Sequence, residues 1–285
     1  MALNITTNMT ALLAIQGMDT NSKSLAKTFQ RLITGTRLNS AGDDPSGFSV
    51  SNRLTAKIRG SNLAVRNTQD AISVTQVADA AMQETSNALQ KMRDISVAAT
   101  GPSLTATDRE SMQIELKGLI TEIQRIATGT NFNGKKLLTG DYNGQRVMIG
   151  AETTEILTFS IGGMSTGALN VNLSGEMLQS FGANFATTTD AAANLSVNIG
   201  KLDAALASVN TIRANLGAVQ NRFTSIIAGL DSLVSATTES RARIADTDMA
   251  AEAANMAQQQ IKQQVGAAIL SQANQLPNSV LLLLK

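Results

Sequence analysis

Residues 195–233 read LSVNIGKLDAALASVNTIRANLGAVQNRFTSIIAGLDSL. Within them Leu195, Ile199, Leu202, Leu206 and Val209 fall at alternating steps of four and three. Ile212, Leu216, Val219, Phe223, Ile226, Leu230 and Leu233 continue the pattern after one shortened step between Val209 and Ile212. Apolar residues spaced in this way form a seam along one side of a helix. A seam held for about five heptads requires a partner along its whole length. At 1.5 Å per residue such a helix reaches about 60 Å, more than a compact globular domain needs.

Composition extends the reading. Of 285 residues 43% are apolar, but only 16% are charged, against about 25% in ordinary soluble domains. The outer positions of the seam are mostly Ala, Ser, Thr, Asn and Gln. Helix surfaces so poor in charge are ill suited to staying apart, which points to cover by neighbouring copies. A net charge of +1 offers no basic field for nucleic acid, and 3% aromatic residues leave few stacking platforms. The sequence contains no Cys and no His. That excludes thiolate chemistry, Ser-His-Asp and Cys-His catalysis and His-ligated metal sites, so neither an enzyme nor a cofactor is expected. The first Lys is Lys23 and the first Arg is Arg31, so the start lacks the basic region of a secretory signal. The longest apolar run, Val280 to Leu284, is far too short to span a membrane. The protein is expected to be cytoplasmic or exported without a cleaved signal.

Three prolines, Pro45, Pro102 and Pro277, punctuate the chain. A helical pattern carrying Ile5, Met9, Leu12, Leu25, Phe29 and Leu32 breaks at the loop Asn39–Gly47. A second runs from about Phe48 to Ala99 with Val50, Leu54, Ile58, Val65, Ile72, Leu89, Met92 and Ile95 in a looser register. A third opens after Gly101-Pro102, with Thr107 and Glu110 spaced as a capping box and a seam of Met112, Leu116, Leu119, Ile123 and Ile126. Asn133-Gly134 and Asn143-Gly144 are hairpin signals. Alternation at Leu157, Phe159 and Ile161, and at Leu169, Val171 and Leu173, predicts strands. After Ser240 a last helix carries Met249, Met256, Ile261, Val265, Ile269 and Leu276 on one side. The expected fold is mainly α: a long antiparallel coiled-coil and helical bundle with a small β-hairpin region at one tip. Three domains are expected. Residues 1–45 with 240–285 form a terminal coiled coil, 46–130 with 190–239 a helical bundle, and 131–189 the hairpin region with a short variable loop.

Several constellations have plain structural readings. Gly129 to Lys136 nearly fits a phosphate-binding loop, but Lys136 replaces the Ser or Thr that binds magnesium and the segment follows a helix, so it reads as a turn. Asp43-Asp44 and Asp246-Thr247-Asp248 sit at helix boundaries and read as caps. Gln258 to Gln260 with Gln263 and Gln264 suit either a wet surface or amide contacts between subunits. The terminal run Val280–Leu284 needs cover from a neighbour or a chaperone.

Six segments resemble bacterial flagellins. They are Asn4-Ile5-Thr6-Thr7-Asn8, the joint from Gln30 to Gly47, Thr130-Asn131-Phe132-Asn133-Gly134, Leu216 to Phe223, Ile244 to Ala250, and Gln272 to Pro277. The similarity covers most of 1–140 and 190–285. It implies a structural subunit whose terminal helices pair as the inner tube of a helical filament, surrounded by a second helical layer with a hairpin. It also implies export in unfolded form through the flagellar type III apparatus, and a location in the extracellular flagellum. The implied partners are many copies of the chain itself, a flagellar export chaperone, and filament cap and junction proteins. The central region is short, as in a minimal flagellin. On this reading the filament interface includes Ile5, Leu12, Leu13, Leu25, Phe29, Leu32, Ile261, Val265, Ile269, Leu276 and Leu283. The family further implies recognition by the Toll-like flagellin receptor through Lys91, Ile95 and Glu115. The strongest binders carry Arg and Leu where this chain has Lys91 and Ile95, and Lys lacks the planar fork of Arg. Three alternatives are a flagellar hook–filament junction protein, a flagellin-derived zinc peptidase, and an unrelated coiled-coil signalling protein. The second needs His, and the third would carry heavier surface charge.

Overall fold

The computed structural model describes residues 8–101, 103–171 and 188–283. Its helices are α1 (Met9–Thr34), α2 (Pro45–Ala98), α3 (Ala106–Gly129), α4 (Thr188–Ala245) and α5 (Met249–Leu283). Two antiparallel hairpins lie between α3 and α4: β1 (Asn131–Phe132) with β2 (Lys135–Lys136), and β3 (Gln145–Met148) with β4 (Ile156–Phe159). The chain divides into two compact units, residues 1–58 with 235–285, and residues 59–234. Ile5 and Leu173 lie outside the described residues, as do the side chains of Leu195, Leu276 and Leu283.

In the second unit, α4 buries Asn198, Leu202, Ala205, Val209, Leu216, Phe223 and Leu230, with Ile212, Val219 and Ile226 half-buried between them. This set alternates four and three without interruption. The shortened step expected after Val209 is therefore absent, because small or polar Ala205 and Asn198 occupy the seam and Leu206 and Ile199 flank it. Facing it, α2 buries Ser61, Ala64, Thr68, Ala71, Thr75, Ala78, Met82, Thr85, Leu89, Met92 and Ser96. Their spacing is also strictly three and four, a seam that the looser apolar pattern of α2 did not reveal. Four of these hydroxyls, on Thr68, Thr75, Thr85 and Ser96, reach this dry line by donating to their own helix, whereas the buried Ser61 hydroxyl has no partner. Thr68 Oγ1 donates to Ala64 O at 2.7 Å, Thr75 Oγ1 to Ile72 O at 2.8 Å and Ser96 Oγ to Met92 O at 2.7 Å. Ion pairs Arg213–Asp79 and Arg93–Asp203, each 2.8 Å, fix α2 and α4 as antiparallel.

The capping box of α3 is made by Thr105 and Asp108, not by Thr107 and Glu110. The helix begins two residues earlier than expected, and the shorter Asp side chain closes the box as well as Glu does. Hydrogen bonds from the Thr105 hydroxyl and then its backbone N–H hold the Asp108 carboxyl below its ordinary value. Ile120 and Ala127 join Leu116 and Ile123 in the buried face of α3.

Asn133 and Gly134 adopt φ of +49° and +78° in the turn joining β1 and β2, as a mirror-image two-residue turn requires. The segment with phosphate-loop spacing is thus a hairpin. Asn143-Gly144 does not join paired strands; it leads into β3, and the β3–β4 turn lies after Met148. Leu157 and Phe159 of β4 are buried and alternate with exposed Thr158. Phe159 meets Phe223 edge-on, with ring centroids 5.7 Å apart, and so seats the hairpin on α4. The strand expected around Leu169 and Val171 is instead a turn, with Asn170 at φ +57°, although both apolar side chains are buried.

In the first unit, α1 and α5 pair antiparallel. Asn8 Nδ2 donates to Ala273 O and Asn21 Nδ2 to Gln259 O, both at 2.8 Å, and Arg31 meets Glu252 at 3.6 Å. As the position rises along α1 its partner falls along α5. Pro277 does not end α5 as its type suggests; the helix continues to Leu283.

Candidate assembly surface

The α1–α5 pair carries the expected contact residues, and its inner face is unusual. Along α1 the covered positions are Ala11, Ala14, Met18, Asn21, Leu25, Thr28 and Leu32. Along α5 they are Glu252, Met256, Gln259, Gln263, Gly266, Leu270 and Ala273. Both lines keep the four-three spacing of a coiled-coil seam, yet most of these side chains are small or polar. A Cβ at Gly266 would lie 3.0 Å from Met18 Cγ, so the absent side chain there lets the two helices approach.

Many of the large apolar side chains lie outside this seam. Leu12, Leu13 and Phe29 on α1 are exposed, as are Ile261, Val265 and Ile269 on α5; Leu13 retains 62% of its accessible surface and Ile269 52%. Leu25 and Leu32 are half-buried in the pair itself. Met256, expected on the same side as Ile261, turns into the seam instead. Four further exposed residues share the surface: Met9, Ile15, Ile33 at 69%, and Met249. Ile15 and Ile33 were missed because the outward stripe is wider than one seam. An open groove of about 350 Å³ runs between the helices, lined by Ala14, Met18, Ile261, Val265, Gly266 and Ile269. At roughly 25 cal/mol per Å² of apolar surface, cover for this stripe would favour an assembly.

Backbone bonds lock the pair at one end. Gly35 caps α1 at φ +68°. Thr247 N donates to Gly35 O at 3.1 Å, Arg37 N to Ala245 O at 2.6 Å, and Thr36 bridges Asp246. Asp44 Oδ1 accepts from Ser46 N and Gly47 N and caps α2, while Asp248 Oδ1 accepts from Ala250 N and Ala251 N and caps α5. A Cβ at Gly47 would sit 2.4 Å from Asp44 Oδ2, so glycine is needed for that cap to close. Asp43 braces the loop; bonds from the Ser40 backbone and then its hydroxyl hold its carboxyl below the ordinary range. Asp44 and Asp248 are therefore helix caps, and Asp43 is a loop brace.

In the second unit, Lys91 is exposed on α2 and lines an open groove with Glu84, Glu122 and Arg125. Glu115 is exposed on α3, whereas Ile95 is half-buried against the core.

The sequence that folds in this way matches two family models. Residues 5–143 match the bacterial flagellin N-terminal helical region, and residues 199–284 the C-terminal helical region. The chain belongs to the bacterial flagellin family. A relative in Treponema pallidum, Flagellin FlaB2, is 35% identical over 288 residues, covering 98% of each chain. Flagellin B of Vibrio anguillarum is 32% identical, with 100% of each chain covered. That alignment runs to 375 positions against 285 residues, so the Vibrio flagellin carries stretches that this one lacks. A putative flagellar hook-associated protein from Vibrio parahaemolyticus shares the fold, with a TM-score of 0.60 over 72% of this chain and 100% of that chain. At 15% identity it shows the fold alone, and the junction-protein alternative is not favoured. As a flagellin, the chain is a structural subunit that polymerises with its own copies into the flagellar filament. No helix among the described residues is long and apolar enough to cross a membrane.

Proposed function

We propose that the outward apolar face of the α1–α5 pair is the surface that copies of the chain cover when the filament grows. One observation carries this reading: Leu12, Leu13 and Phe29 on one terminal helix and Ile261, Val265 and Ile269 on the other lie outside the seam and stay exposed. Leu12, Leu13, Phe29, Ile261, Val265 and Ile269 supply that face, and Leu25 and Leu32 help to hold the pair; Ile5, Leu276 and Leu283, assigned to the same interface from the sequence, fall outside the described residues or side chains. Burial of this surface offsets the entropy of ordering the two helices. The contact joins different patches on successive copies, so it propagates as an open helix. Residues 1–45 with 240–285 act as the terminal coiled coil, 46–130 with 190–239 as a helical bundle, and 131–189 as the hairpin region with its short loop.

The same uncovered face accounts for the wider set of partners. An export chaperone covers the C-terminal helix before assembly, and the subunit leaves the cell through the type III apparatus. Filament cap and junction proteins meet the same terminal helices. For the Toll-like receptor, the exposure of Lys91 and Glu115 supports contact, while the half-buried position of Ile95 weakens it. The subunit has no catalytic role. Electron microscopy of a chain lacking its first forty residues tests the assembly reading. We expect no filaments, with the helical signal of the second unit retained; normal filaments would contradict it.

A further inference from the structure

Asn8 and Ala273 meet at the end of the α1–α5 pair remote from the Gly35–Asp246 lock. Asn8 uses both ends of its amide. Its Oδ1 caps α1, accepting from Ala11 N at 3.2 Å and from Thr10 Oγ1 at 2.6 Å. Its Nδ2 donates to Ala273 O at 2.8 Å. In an uninterrupted helix that carbonyl would accept from the N–H four residues on. That residue is Pro277, which has no N–H to give, although α5 continues through it. Ala273 is 4% exposed, so water has little access to its carbonyl. We propose that Pro277 is a positioning residue: it vacates the Ala273 carbonyl so that Asn8 can latch there, fixing the open end of the terminal helix pair for assembly.

The inner seam gives this latch its importance. Most seam positions are small or polar, and the larger ones (Met18, Leu25, Leu32, Met256 and Leu270) are only half-buried, so polar contacts help to specify alignment. Asn21 to Gln259 O and Arg31 to Glu252 serve the middle and the locked end. Asn8 serves the remaining end. Latch and cap are separable, because Asp keeps the capping oxygen but cannot donate.

The test is a double-mutant cycle in the full chain, with Asn8→Asp, Pro277→Ala and both together. It reads the critical concentration for growth on filament seeds and the amide-exchange protection of the first turn of α1 in the monomer. Losing the bond to a buried carbonyl is expected to raise the critical concentration roughly tenfold in Asn8→Asp. In the Pro277→Ala background, where the restored N–H occupies the carbonyl, Asn8→Asp should change it less than about twofold. A purely capping role predicts that Asn8→Asp is neutral or favourable in both backgrounds. That result, or an equal loss in both, overturns the latch. The proposal rests on the terminal pair being the assembling element, and the two readouts separate the failures. Coupling in exchange without a shift in critical concentration supports the latch and contradicts the assembly reading.

Discussion

At the scale of the residue, small differences in size and polarity decide which positions touch. Phe223 is fully buried and meets Phe159 edge-on. Phe223→Ala should cost about 3–5 kcal/mol by urea unfolding, since it removes the ring and leaves a cavity. The small seam of α2 has the opposite sensitivity. Ala78 has no exposed surface, and Ala78→Leu should destabilise by about 1–3 kcal/mol through overpacking, against the usual gain from a larger apolar residue. Asp108 gives a pH signature. Its folded value lies below the ordinary 3.8 because the Thr105 hydroxyl and backbone hold the charged form. Its support for α3 is complete above that ordinary value and is lost as the pH falls through the lower folded one. An NMR titration of the Asp108 carboxyl should give a midpoint below 3.8; a midpoint at or above it contradicts the capping box.

At the scale of the element, the two helix pairs are built from different materials. The α2–α4 pair fully buries Met82, Leu89, Leu202, Leu216 and Phe223, while most seam positions of the α1–α5 pair are small or polar and its larger apolar members, such as Leu25, Leu32 and Leu270, are only half-buried. Local opening follows buried apolar contact. In the monomer, amides of α1 and α5 should therefore exchange roughly tenfold or more faster than those around Met82–Met92. Similar rates in both pairs would contradict this difference. Leu13→Asp with Ile269→Asp should leave the circular dichroism of the monomer unchanged and abolish filaments, because both side chains already face solvent in the free chain. The same contrast explains what could be read from the sequence. The seam of α4 was legible because Leu, Val and Phe mark it. That of α2 was not, because Ser, Ala and Thr fill it and carry no hydropathy contrast. On α1 and α5 the apolar stripe was legible, but not that it turns outward. Periodicity identifies a face without identifying what covers it. The Asn8–Ala273 bond left no periodic trace, since it depends on a proline four residues from the carbonyl that it frees.

At the scale of the whole molecule, sparse charge, a net charge of +1 and an uncovered apolar stripe combine in a chain that is completed by its copies. The single chain keeps large apolar side chains exposed, and on the proposed reading the filament removes them from water. Residue-resolved carbene footprinting of monomer and filament measures this directly. Labelling of Leu12, Leu13, Ile261, Val265 and Ile269 should be strong in the monomer and fall severalfold in the filament, while fully buried Met82 and Leu89 stay unlabelled in both. Equal labelling of the five residues in monomer and filament would contradict the account.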